Sequence, residues 1–138
     1  MKRSSRRKFL LTSAAVTAGA AALPAFPFST MDNKDKKQLT HHVFFWLKNP
    51  DSMDDRNKLI EGLKTLRKIE TVKKLHIGVP ASTEKRDVVD NSYQVSELMF
   101  FDDVDGQNVY QVHPLHTKFV EECSHLWTKV VVYDSLEV

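Results

Sequence analysis

The chain contains one cysteine, Cys123, in 138 residues. No intramolecular disulfide can form, so no disulfide framework defines the fold. Cys123 stands at helical spacing from Val120 and Leu126, the place of a small buried hydrophobe rather than a nucleophile. A membrane-spanning run is also missing. The apolar stretch from Phe9 to Leu23 is too short, and too rich in Ala, Thr, Ser and Gly, to serve as one. No cysteine follows that stretch to carry a bacterial lipid anchor. There are no internal repeats and no low-complexity tracts. A net basic charge is missing outside the first residues. The formal net charge of +2, less Lys2, Arg3, Arg6, Arg7 and Lys8, leaves −3 for the remainder. The basic balance therefore belongs to the leader and gives no argument for nucleic acid.

With 41% hydrophobic and 28% charged residues, the chain reads as one soluble domain behind a leader. Residues 1–25 pair a basic, acid-free start with a short apolar run, the pattern of an export signal. Ser5-Arg6-Arg7-Lys8-Phe9-Leu10 resembles a twin-arginine signal, and Ala22 and Ala25 are candidate cleavage points. The expected destination is periplasmic or extracellular, with no stable membrane anchor after signal removal. Residues 26–38 are polar and aperiodic and read as a flexible linker. Residues 39–138 form the folded domain.

Leu39 to Lys48 predicts a strand with His41, Val43, Phe45 and Leu47 on one face and His42, Phe44, Trp46 and Lys48 on the other. Both faces carry large apolar groups, so both need cover, and a second copy of the chain is a natural source. Ser52 and Asp55 resemble a capping box. Leu59, Ile60, Leu63, Leu66 and Ile69 then follow at helical spacing, with Gly62 inside the helix. Val72 to Val79 predicts a second strand, Pro80 to Ser92 a long polar loop, and Tyr93 to Phe101 a third strand. Asp103 to Tyr110 is a short helix, Pro114 to about His125 another, and Trp127 to Val138 a last strand centred on Val130-Val131-Val132-Tyr133. The order β-α-β-β-α-β is the ferredoxin-like α+β pattern with an antiparallel sheet.

The densest proton-transfer chemistry lies in Tyr110-Gln111-Val112-His113-Pro114-Leu115-His116. Pro114 suits the first turn of a helix and pushes His113 towards an extended conformation. On an unbroken helix, six residues would turn Tyr110 and His116 apart by about 120°. Only a break near Pro114 brings them together.

These segments, taken in order, resemble the stress-responsive dimeric α/β-barrel family, often called Dabb. The resemblance rests on His41-His42-Val43-Phe44-Phe45-Trp46-Leu47-Lys48, on Tyr93-Gln94-Val95-Ser96-Glu97 to Phe101, on Tyr110 through His113-Pro114-Leu115-His116 to Phe119, and on Trp127 leading into Val130-Val131-Val132-Tyr133-Asp134. It implies a ferredoxin-like subunit whose sheet packs against its twin in a barrel-like homodimer. Some plant members of that family are polyketide cyclases that perform cofactor-free aldol condensation with a Tyr and a His. By motif, Tyr110 and His116 match those residues, and His41 matches the family's first-strand histidine. A further cyclase histidine is replaced here by Val95.

Three readings follow. In the first, an enzyme uses His116 as general acid or base and Tyr110 as donor to a carbonyl or developing enolate, on a carbonyl or polyketide-like compound. His41, His113 and Tyr93 would then contact the substrate, and no cofactor is required. In the second, a non-catalytic, stress-related homodimer binds a small apolar or aromatic ligand, or is purely structural, with His113 and His116 capping and orienting their helix. In the third, His113 and His116 hold a metal with His41 or His42. That set lacks a clear Cys or carboxylate partner in the motif, and His41 and His42 point to opposite faces, so no metal site is assigned. Trp46, Trp127, Phe44, Phe45, Phe100 and Phe101 read as sheet core and dimer packing rather than a platform for bases.

Overall fold

The computed structural model describes residues 36–138. The segment read as an export signal, and all but the end of the segment read as a linker, lie outside the described residues. The elements are β1 (Leu39–Leu47), α1 (Met53–Thr65), β2 (Lys74–Gly78), β3 (Val95–Phe101), α2 (Val104–Val112), α3 (Pro114–Cys123) and β4 (Trp127–Leu136). The sheet order is β2-β3-β1-β4, and every neighbouring pair is antiparallel. This is the ferredoxin-like α+β fold.

β1 is central because its alternation serves two surfaces. Leu39, His41, Val43, Phe45 and Leu47 are buried, while the residues between them are half-buried. The buried set joins Val95, Met99 and Phe101 of β3 beneath the helices. α1 begins where Ser52 Oγ accepts the Asp55 amide at 3.1 Å, as the capping residues predict. It contributes Leu59 and Leu63, and a 3₁₀ turn, Leu66–Lys68, continues it with Leu66; all three are fully buried. A Cβ on Gly62 would stand 2.6 Å from Cys123 Sγ and 3.1 Å from Phe119, so the glycine is where α1 and α3 approach closely. Cys123 is buried there, and burial pushes its thiol further towards the neutral form, as its place in the core requires.

Some boundaries differ from the sequence expectation. β2 starts at Lys74 rather than Val72, because the Val72 amide closes a turn on the Ile69 carbonyl. β3 starts at Val95 rather than Tyr93. The end of the preceding loop is nevertheless pinned to β1: the Gln94 amide donates to the Phe45 carbonyl, the Leu47 amide to Gln94 Oε1, and Trp46 Nε1 to Ser92 Oγ.

The opposite face of the sheet carries Phe44, Trp46, Leu98 and Phe100 half-buried, with Tyr133 64% exposed. Phe44 stacks edge-on with Tyr93 at 4.8 Å, and Lys129 Nζ lies 4.3 Å above the Trp46 ring. No helix among the described residues covers this face. None of the described helices is long and apolar enough to cross a membrane.

Candidate functional site

The site lies on the helix side of the sheet, where α2 and α3 meet β1 and β4. Its geometry starts at His113. That residue leaves the helical region with φ −65° and ψ 138°, ending α2 and capping α3, with Pro114 at the first helical position. The helix axis is broken between Tyr110 and His116. Their rings consequently stand 4.5 Å apart between centroids rather than on diverging faces. The proline break that the sequence suggests is thus what unites the phenol with the imidazole.

His41 reaches the same place from β1. Its ring packs edge-on against Tyr110 at 5.7 Å and Phe101 at 6.4 Å. His41 Nδ1 meets Asp134 Oδ1 at 2.6 Å, because the antiparallel register of β1 and β4 sets the two residues opposite each other. His41 is buried, whereas the Asp134 side chain is 48% exposed. The carboxylate can only accept, so Nδ1–H donates and fixes the ring orientation.

His116 is oriented differently. Its Nδ1 lies 3.0 Å from the Gln111 carbonyl, which can only accept. Nδ1 therefore carries the hydrogen, and Nε2 is the basic nitrogen of the neutral ring. Burial holds His116 below the usual imidazole range, outweighing the opposing effect of the Gln111 carbonyl; proximity to His41 adds to the lowering. Tyr110 is 1% exposed, and its phenol is pushed far up, first by burial and then by the charges of Glu97 and Asp134. It is a neutral donor at any ordinary pH.

These side chains border a cavity of about 130 Å³, whose lining also includes Gln111 and Val120 of the helices and Val43, Phe45, Val130 and Val132 of the sheet. Val130 and Val132 remain 37% and 44% exposed on β4, the edge strand of the sheet. Glu97 also lines the cavity. It is 2% exposed, and its Oε2 has no partner among the described residues. Burial raises its carboxyl to about 8.

The structure brings together three of the five residues singled out in the sequence. Tyr110, His116 and His41 converge. His113 does not join them as a ligand contact, since its Nδ1 accepts the Leu115 amide at 3.1 Å as a helix cap. Tyr93 stands across the sheet, against Phe44 and Trp46. Asp134 and Glu97 were not singled out. Asp134 depends on strand register, and Glu97 on burial, although its shared strand face with Val95, Met99 and Phe101 was a usable signal. Among the described residues, no three His, Cys, Asp or Glu side chains gather as a metal set.

A four-stranded antiparallel sheet in the order β2-β3-β1-β4, with its helices on one face, defines the ferredoxin-like α+β class. The chain belongs to the stress responsive A/B barrel domain family, which matches residues 39–136. Its fold is shared with a Dabb family protein of Mesorhizobium loti, 22% identical, with a TM-score of 0.61 over 75% of this chain and 99% of that one. A hydroxynitrile lyase from Passiflora edulis is 19% identical, with a TM-score of 0.64 over 75% and 95% of the two chains. A protein of unknown function from Thermobifida fusca, described as dimeric and ferredoxin-like, is 18% identical with a TM-score of 0.60, over 75% and 93%. No curated protein sequence is significantly similar.

Proposed function

We propose that this protein is a homodimer that binds a small carbonyl compound and moves a proton on it without a cofactor. The observation that carries this reading is the 4.5 Å approach of the Tyr110 and His116 rings beside a cavity. His116 Nε2, unprotonated, takes a proton from the carbon next to the carbonyl. Tyr110 donates to the carbonyl oxygen as negative charge develops there. His41, fixed by Asp134, orients the bound compound. A lyase among proteins of this fold is consistent with such chemistry.

Exchange of the α-hydrogens of cyclohexanone in D2O, followed by proton NMR, tests it. The protein should accelerate exchange, and Val132→Trp, which fills the cavity, should return the rate to that of buffer. Equal rates with the two proteins overturn the reading.

The uncovered aromatic face supports the homodimer, as does the dimeric description of proteins with this fold. Phe44→Glu is expected to weaken self-association by about 30-fold or more, the cost of losing a central aromatic anchor. Sedimentation velocity across a concentration series reads this directly. A wild-type protein that stays monomeric throughout removes the dimer.

A further inference from the structure

Among the described residues, Glu97 is the one titratable group lining the cavity that the proposed proton transfer leaves unused. It projects from the middle of β3 on the helix side, opposite Val43 of β1 and Ile77 of β2 in the strand register. A carboxylate in that position needs a cation or several donors. Among the described residues neither is supplied, and no lysine or arginine lines the cavity. The titratable groups around it are His41 of β1, already engaged by Asp134 of β4, His116 of α3, and Tyr110 of α2. Burial disfavours the cationic form of His116, and Asp134 is itself an acid. An uncompensated charge on Glu97 is therefore costly, while its acid form has a hydrogen to give and a buried oxygen, Oε2, without a partner.

We propose that the Glu97 carboxyl acts beside Tyr110 as a second hydrogen-bond donor to the oxygen of the bound carbonyl compound, and that it restricts the cavity to uncharged ligands. This rests on the small-molecule reading above and adds to it a residue and a selectivity. Two neutral donors aimed at one oxygen suit an aldehyde or ketone. A carboxylate ligand would enter a cavity with no fixed cation, near the charge of Asp134, and is rejected. The volume of about 130 Å³ sets the scale of the part held inside, since an apolar protein cavity of about 150 Å³ accommodates benzene.

Cyclohexanone and cyclohexanecarboxylate serve as matched probes, with binding read by ligand-observed NMR on the wild type, Glu97→Leu, Glu97→Gln and Val132→Trp. Cyclohexanone should bind the wild type and be lost in Val132→Trp. Glu97→Leu should weaken it about tenfold, the effect of removing one buried donor, whereas Glu97→Gln, which keeps an N–H, should stay close to wild type. Wild-type binding should decline as pH rises past about 8, and Glu97→Gln should not show that decline. The carboxyl 13C resonance missing from Glu97→Gln should titrate near 8 in the wild type. Unchanged cyclohexanone affinity in Glu97→Leu, a carboxyl titrating in the ordinary range, or equal affinity for cyclohexanecarboxylate overturns the proposal while the cavity reading stands. Cyclohexanone that fails to distinguish the wild type from Val132→Trp removes the cavity reading and this proposal with it.

Discussion

His116→Ala is expected to slow the α-hydrogen exchange of cyclohexanone by about 10²- to 10⁴-fold, the usual contribution of a positioned general base. The expectation follows from how the ring is held. The Gln111 carbonyl at 3.0 Å takes the Nδ1 hydrogen and leaves Nε2 as the base. Burial keeps the ring neutral to lower pH than a free imidazole, so the base is already in its working form at neutrality. The wild-type rate should accordingly fall on the acid side, as His116 takes up a proton below the ordinary imidazole range. It should fall again on the alkaline side as Glu97 ionises near 8. His116 is only half-buried, so its loss should leave the fold intact. Exchange kinetics across the pH range check both limbs. A rate unaffected by His116→Ala dismisses the histidine as the base.

The second large effect concerns stability. In the folded protein Glu97 holds its proton up to about 8, whereas the unfolded chain releases it near 4.5. Between those values the folded state carries more protons, so stability declines as pH rises through the window. The stabilising proton is fully in place below 4.5 and is lost as pH passes about 8. The decline is on the order of 5 kcal/mol for a shift of this size, a large share of a typical domain's stability. Glu97→Leu removes the titration and should be the more stable protein at alkaline pH, because it replaces a buried acid without a cation by an apolar side chain. Urea unfolding below pH 4.5 and above pH 8, at one fixed protein concentration, measures the difference. Identical pH dependence in the two proteins shows that Glu97 is hydrated and ionised like a surface carboxyl.

Much of the architecture is visible in the residue pattern, because local chemistry decides it. Ser52, Asp103 and Pro114 mark the helix starts. The alternation from Leu39 to Leu47 assigns each side chain of β1 to a face. Tyr110 and His116 were legible as a pair for the same reason, since Pro114 carries the instruction to bend the chain between them. What the pattern does not contain is pairing across the sheet. Asp134 becomes the partner of His41 only through the β1–β4 register. Tyr93 was assigned by extending the alternation of β3 back two residues, but the chain there is a loop, and the ring turns to Phe44 and Trp46. In the sequence His113 is open to two readings, ligand contact or helix cap, and the Leu115 amide makes it the cap.

Adjacent positions on β1 serve separate compartments: His41 enters the cavity, while His42 lies against Phe44 on the uncovered side, 4.2 Å between ring centroids. Burial and the nearby His76 and His41 all disfavour a charge on His42. The outer surface and the inner imidazole are therefore served by neighbouring residues of one strand. In the proposed homodimer, the outer contact and the inner imidazole are separated by a single peptide unit.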